Sequence, residues 1–195
     1  MIHPDTELTY INPVIGHGLV ATRTIPKGTI TWARDPLDIV FEPDAYNTIN
    51  GRRKEFLYKY CFIDGEGQRI LCWDHGRFVN HSCQPTCIAP GFEFEVAVRD
   101  ILPGEQLTCD YALLNIDEDF ECSCGAPDCR KVIHPADPEI HHKEWDAQVR
   151  NVFSHIDKLP QPLWEFVIEK NEIKAAISNP STIPSCLKHY YRGPR

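Results

Sequence analysis

Three cysteines stand within eight residues, in Cys122-Ser123-Cys124-Gly125-Ala126-Pro127-Asp128-Cys129. A thiolate is a soft anionic ligand, and zinc accepts four of them in a tetrahedron. In extended chain, side chains two residues apart point the same way at about 7 Å, so Cys122 and Cys124 are poorly placed for a disulfide. Both can still reach one ion if the chain curls. Gly125 permits the curl, and Pro127-Asp128 turns the chain back to Cys129. A fourth ligand has to come from elsewhere, and Cys83, Cys87 and His134 are the candidates. Three ordinary buried thiols are the plainer reading, but the density of the cluster and its turn-forming flanks speak against it.

Three other segments carry reactive or ligand-binding side chains. Gly16-His17-Gly18 allows close backbone approach to a ligand. The run from Arg77 to Thr86 (RFVNHSCQPT) sets an amide, an imidazole, a hydroxyl and a thiol between apolar residues. Polar groups beside a core need their hydrogen bonds satisfied, and a bound polar ligand would do that. Gly104 to Tyr111 (GEQLTCDY) ends an apolar run with an acid and a tyrosine. Taken singly, a plain turn accounts for the first segment and a structural tyrosine for the last.

Together and in this order, the segments resemble the SET-domain protein lysine methyltransferases with a post-SET zinc motif. The match runs from Gly-x-Gly through Asn-His-Ser-Cys-x-Pro and Gly-Glu-x-Leu-x-x-Asp-Tyr to Cys-x-Cys-x4-Cys, over about Val14 to Ile133. The resemblance implies S-adenosyl-L-methionine as cofactor, held by Gly16, His17, Gly18, Asn80, His81 and Tyr111, with Val132 or Ile133 closing over the adenine. It implies zinc on Cys83, Cys122, Cys124 and Cys129, and so selects Cys83 over Cys87. It places Tyr111 at the methyl-transfer pore, with Tyr60 as the second channel tyrosine and Tyr58 as its nearby alternative.

Cys109 stands two residues before Tyr111, where the family commonly has Phe or Tyr. The smaller side chain leaves room, which predicts tolerance of higher methylation states. Thr86 replaces a frequent Asn, a change expected to affect only a local turn. Physically, the reaction is an in-line displacement on a sulfonium methyl by a neutral amine. A narrow apolar channel and a neighbouring sulfonium charge both lower the lysine pKa, and alignment supplies most of the remaining gain. Aromatic channel walls also favour a methylammonium product.

The elements that must position these groups are mostly strands. Gly18 to Thr24 and Thr29 to Ala33 are short β-branched runs around the turn Ile25-Pro26-Lys27-Gly28. Tyr58 to Ile63 and Arg69 to Trp73 read as a hairpin around Asp64-Gly65-Glu66-Gly67. Phe92 to Val98 alternates and is the clearest strand; Gln106 to Cys109 is a shorter one. After Cys129 the pattern turns helical. Asp137-Pro138-Glu139 starts a helix with Asp137 as N-cap, and Trp145, Val149, Phe153 and Ile156 recur at helical spacing. After Pro160 and Pro162, Leu163, Phe166, Val167, Ile173 and Ile177 suggest a second helix ending at Asn179-Pro180. The expected fold is therefore a mainly β SET fold (β-clip) of several small sheets with knot-like threading, plus a C-terminal α-helical hairpin. The expected division is 1–117 for the SET domain, 118–134 for the post-SET motif and 135–195 for the helical extension.

The chain has 195 residues, 42% apolar and 25% charged, so it can bury a real core. Its net charge of −8 argues against a general nucleic-acid binder and suits a basic partner. Between Glu93 and Glu121 nine acids face one base, Arg99. Of these, Asp117, Glu118, Asp119 and Glu121 would form a rim that attracts a basic peptide, with histone tails as the leading class by resemblance. The last fifteen residues, from Ser181, carry Lys188, Arg192 and Arg195 and no acid.

Nine cysteines without an even-numbered disulfide framework point to a reducing intracellular compartment, cytoplasm or nucleus. No signal peptide or membrane span is expected. Oligomeric state is left open. The competing function is a catalytically silent, zinc-stabilised SET module serving as a protein-binding scaffold; Tyr111, Asn80 and His81 favour the enzyme.

Overall fold

The computed structural model describes residues 1–193, so Arg195 of the basic terminal stretch lies outside the described residues. The chain begins with β1 (Thr6–Asn12), β2 (Gly16–Ala21), β3 (Ile30–Ala33), β4 (Ile39–Phe41), α1 (Pro43–Thr48) and α2 (Arg52–Tyr60). Then come β5 (Cys61–Ile63), β6 (Arg69–Leu71), β7 (Asn80–His81), β8 (Cys87–Ile88), β9 (Phe94–Ala97) and β10 (Thr108–Cys109). The last part holds β11 (Phe120–Glu121), β12 (Val132–Ile133), α3 (Asp137–Phe153) and α4 (Lys170–Ser178), with short 3₁₀ turns between. The strands form five small sheets, ordered β1-β2, β3-β9-β8, β4-β6-β5, β7-β10 and β11-β12. This is the mainly β architecture the sequence implies.

Why the sheets stay small is legible locally. At the β1–β2 turn the Asn12 side chain accepts from the amides of Val14 and Ile15, both at 2.9 Å. Gly16 then takes φ +81°, which a residue with a Cβ adopts only with strain. Strand β9 is central in its sheet and covered on both faces. Phe94 and Val96 face a large core with Ile30, Ile88, Trp145, Val149 and Phe153. Ala97 faces a smaller core with Leu19, Ile25, Cys87, Ile101 and Leu107. Alternation in this strand therefore does not mean one wet face: Glu95 is buried along with its apolar neighbours.

Helix α3 caps the larger core. Its Trp145, Val149, Val152 and Phe153 form a buried stripe, as helical spacing predicts. Three sequence expectations need correction. Tyr58 and Tyr60 belong to α2, and only Cys61–Ile63 pairs with Arg69–Leu71. Asp137 lies inside α3 after an Ala136 cap, and its carboxylate accepts from Arg130 at 2.9 Å instead of capping the helix. The second helix is only Lys170–Ser178: Leu163, Phe166 and Val167 sit in tight turns, with Phe166 N–H bonded to Leu163 C=O at 3.0 Å. The prolines at 160 and 162 remove two backbone donors there, and the apolar side chains reach the core without a continuous helix. Among the described residues, no helix is long and apolar enough to cross a membrane.

Candidate active site and metal centre

Strands β7 and β10 run parallel, with Thr108 beside Asn80 and Cys109 beside His81. This pairing brings the Asn-His-Ser-Cys segment against the strand that leads into Tyr111. The Tyr111 amide donates to His81 Nδ1 at 3.1 Å, and the Tyr111 hydroxyl donates to the Val79 carbonyl at 3.1 Å. Burial and then the nearby Cys109 push the Tyr111 phenol well above its ordinary range, so it stays a neutral donor.

The Gly-x-Gly segment meets the same place from the other side. Asn80 donates to the His17 carbonyl at 3.2 Å and to the Gln106 side chain at 2.9 Å. A Cβ on Gly18 would lie 2.4 Å from the Asn80 amide nitrogen and 2.6 Å from the Gln106 oxygen, so a side chain there would displace both groups. Gly16, by contrast, borders open space. His17 is exposed, with its ring edge-on to Tyr10 at 5.7 Å.

The cysteines converge as well. Cys83 Sγ lies 3.8 Å from Cys122 Sγ, and Cys122 Sγ lies 3.6 Å from Cys129 Sγ. Zinc–sulfur bonds of about 2.3 Å in a tetrahedron require sulfurs about 3.8 Å apart, so the spacing suits zinc. The ligand atoms of His81, Cys83, Cys122 and Cys124 all lie within 4.8 Å of one another. Backbone amides support the sulfurs: Cys83 N–H donates to Cys124 at 3.5 Å, and Arg130 N–H donates to Cys83 at 3.4 Å. Burial opposes ionisation of Cys124, yet the amides of Cys83 and Ala126 and the neighbouring thiols outweigh it and bring its pKa down to about 7. The site could hold a zinc ion. His134, a candidate from sequence, instead pairs with Asp119 at 2.9 Å, and Cys87 is buried in the smaller core.

The His81 ring is engaged at both nitrogens. Its Nδ1 already accepts from Tyr111, so in the neutral ring Nε2 carries the proton. That nitrogen lies 3.4 Å from Cys83 Sγ and donates to it. Burial, then the Arg130 charge, lowers the His81 pKa to about 4, which keeps the ring neutral. The imidazole thus links the cysteine cluster to Tyr111.

Other expected residues divide. Ile133 is fully buried in the larger core and cannot line a ligand site, while its neighbour Val132 is partly exposed. Tyr60 packs edge-on against Phe78 at 5.3 Å, next to Val79. Tyr58 is half exposed and donates to Glu118 at 3.2 Å. Cys109 is buried, and burial followed by the charge of Glu95 holds its thiol protonated.

Sequence reasoning missed several members. Phe120, on β11 opposite Ile133, lies 5.8 Å from the His81 ring and 5.5 Å from Tyr111, with its ring 39% exposed. Gln106 orients Asn80. Arg130 donates to both oxygens of Asp110, at 2.7 and 2.6 Å, and to Asp137, joining the cysteine segment, the residue before Tyr111 and α3. Their signal was weak, because each is a single residue of a common type.

The SET-domain family model matches residues 16–112, which hold both motif segments and Tyr111. The chain belongs to the SET-domain family. It is similar to an H3 lysine-4 specific histone-lysine N-methyltransferase of Schizosaccharomyces pombe, 46% identical over 61 residues, covering 28% of this chain and 7% of the relative. It is also similar to histone-lysine N-methyltransferase TRX1 of Oryza sativa subsp. japonica, 40% identical over 117 residues, covering 54% of this chain and 11% of the relative. A third relative is histone-lysine N-methyltransferase ASHR3 of Arabidopsis thaliana, 32% identical over 95 residues, covering 44% and 19%. The chain therefore spans less than a fifth of the length of each of these three relatives.

Proposed function

We propose that this chain is a protein lysine N-methyltransferase that uses S-adenosyl-L-methionine and acts on a lysine in a basic segment, histone tails being the leading class. The observation that carries the reading is the meeting of Gly16–Gly18, Asn80 and the Tyr111 phenol at one edge of a SET domain. The relatives' names, all histone-lysine N-methyltransferases, support the same class.

The residues suit the cofactor. The glycine edge leaves backbone room beside Gly16, Asn80 is held by two hydrogen bonds, and the partly exposed Phe120 packs against His81 and Tyr111. Gly16 to Gly18, Asn80, His81, Tyr111 and Val132 would hold it, and the His81 ring also links Tyr111 to Cys83. The bound cofactor supplies an electrophilic methyl on a sulfonium sulfur. Tyr111, anchored through Val79, orients the amine and excludes water, so alignment supplies most of the gain. Tyr60 and Cys109 line the lysine channel, and the small Cys109 leaves room for higher methylation states.

Cys83, Cys122, Cys124 and Cys129 form the proposed zinc quartet. An ion there would tie the 122–129 loop to the Asn80–Cys83 segment, so metal and cofactor binding are linked. The exposed acids Asp117, Glu118, Asp119 and Glu121 would meet the basic substrate. Partial pairing moderates that field: Asp117 accepts from Arg69, and Asp119 faces His134. The thiols and the substrate class fit a reducing intracellular compartment, the nucleus or cytoplasm.

The test is incubation with methyl-labelled S-adenosylmethionine and mixed core histones, beside Tyr111→Phe. Label on histones from the wild type, lost in the variant, supports the enzyme. Cofactor binding without transfer to any basic protein would leave only the scaffold.

A further inference from the structure

Asn115 ends the short 3₁₀ turn Tyr111–Leu114. Its backbone lies in the left-handed region, at φ 54°, which asparagine tolerates better than most side chains. The residue is only 5% exposed, and its amide group is engaged at both ends. Nδ2 donates to the Ile63 carbonyl at 2.9 Å and to the His189 carbonyl at 2.8 Å. Oδ1 accepts from the Tyr191 amide at 3.0 Å. One buried side chain thus joins the turn that carries Tyr111 to strand β5 and to the segment 189–191 of the helical extension.

These bonds close a circuit around the two channel tyrosines. On one side, the Tyr60 ring packs on Phe78 at 5.3 Å, and the Tyr111 hydroxyl donates to the next carbonyl, that of Val79, at 3.1 Å. On the other side, Ile63 lies three residues after Tyr60 and Asn115 four after Tyr111, and the Asn115–Ile63 bond joins them. Arg69, which pairs with Ile63 across the sheet, reinforces the join by donating to Asp117. The segment that holds the far end of Asn115 is itself anchored. Cys186 N–H donates to Asp146 of α3 at 2.8 Å, the Tyr190 hydroxyl donates to the Pro135 carbonyl at 3.3 Å, and His189 Nδ1 lies 3.2 Å from Glu93 Oε1. The Tyr191 ring sits on Gly67, where a Cβ would come within 2.6 Å of it.

We propose that Asn115 is a positioning residue for methyl transfer, and that the segment 189–191 holds it in place. This rests on the lysine methyltransferase reading. The Asn115 amide sets the separation of the chains that carry Tyr60 and Tyr111, and with it the width of the lysine channel. An amine displaced by about 1 Å from its line of attack loses on the order of 10²-fold in rate. Gly16 to Gly18 and Asn80 stand outside this circuit, so cofactor affinity does not depend on it. The helical extension therefore acts on the active site as well as covering the core.

The experiment compares wild type, Asn115→Gly, Tyr191→Pro and the double variant. Asn115→Gly deletes the side chain but keeps a backbone that is at ease in the left-handed region. Tyr191→Pro removes the amide that donates to Asn115. In each, kcat is measured on mixed core histones and the Kd of S-adenosylmethionine by calorimetric titration. Asn115→Gly should lower kcat by roughly 10²-fold and Tyr191→Pro by roughly five- to tenfold, with cofactor Kd at the wild-type value in both. The double variant should be no slower than Asn115→Gly, because the segment acts through Asn115. Losses that multiply in the double variant, cofactor affinity that falls in step with kcat, or wild-type kcat in Asn115→Gly would overturn the role of Asn115 and leave the methyltransferase standing. Should Asn115→Gly fail to fold, Tyr191→Pro decides: slower turnover at unchanged cofactor Kd supports the proposal, and wild-type turnover overturns it. Absence of transfer by the wild type would overturn both readings.

Discussion

Gly18→Ala puts a methyl against the hydrogen-bonded ends of Asn80 and Gln106. The new Cβ would stand 2.4 Å from Asn80 Nδ2, 2.6 Å from Gln106 Oε1 and 3.0 Å from Ile11 Cγ1. Asn80 must move, and its bonds to the His17 carbonyl and to Gln106 are lost or stretched. Overpacking costs about 1–3 kcal/mol, and each of the two hydrogen bonds contributes about 1 kcal/mol or less. A total of about 2–4 kcal/mol lowers Tm by roughly 4–16 °C for a chain of this size. Gly16→Ala is the internal control. Its Cβ meets nothing within 4 Å, and only φ +81° penalises it, by about 1–2 kcal/mol. Calorimetric titration with S-adenosylmethionine and thermal melts should rank Gly18→Ala as the more damaged, with cofactor Kd weakened at least tenfold. Wild-type melting and affinity in Gly18→Ala, or greater damage in Gly16→Ala, would refute the packing argument.

Other consequences are equally concrete. Purified protein should carry one zinc per chain by elemental analysis; Cys83→Ser should lose it and Cys87→Ser should keep it, and chelation should lower both Tm and cofactor affinity. Arg130→Gln strands the buried carboxylates of Asp110 and Asp137, so stability should fall by about 3–5 kcal/mol in chemical denaturation. Glu95→Gln should raise stability at high pH. The folded state lifts the Glu95 carboxyl from 4.5 to about 7, so it keeps a proton that the unfolded chain has released. That contribution is present below pH 4.5 and lost as pH rises through 7, by about 3 kcal/mol in all. Glu95→Gln should therefore melt above wild type at pH 8, with the gap shrinking toward pH 5; equal melting at pH 8 contradicts the burial of the charge.

What the sequence disclosed followed from local chemistry. The curl around Gly125 and Pro127 was readable because turn residues declare backbone geometry, and the cysteines do come together. The ordered motifs disclosed Asn80 and Tyr111 because several rare combinations coincided. Side-chain bookkeeping across elements was less legible. The hydrogen bonds of His81 depend on what faces each ring nitrogen, which spacing cannot show. Arg130, Gln106 and Phe120 acquire their parts only when β7 meets β10 and β11 meets β12. Glu95 was hidden by a pattern: alternation suits a strand with one wet face, and here the helical extension and the β1–β2 edge cover both. Leu163 to Val167 misled in the other direction, since apolar spacing persisted through turns set by the prolines.

The most direct test uses S-adenosylmethionine carrying a trideuterated methyl, with mixed core histones as acceptor and tandem mass spectrometry as readout. Labelled methyl groups are expected on lysine ε-amines, more than one per residue at completion, and none from Tyr111→Phe. Label confined to other side chains, or equal labelling by the Tyr111→Phe protein, would contradict the lysine methyltransferase reading.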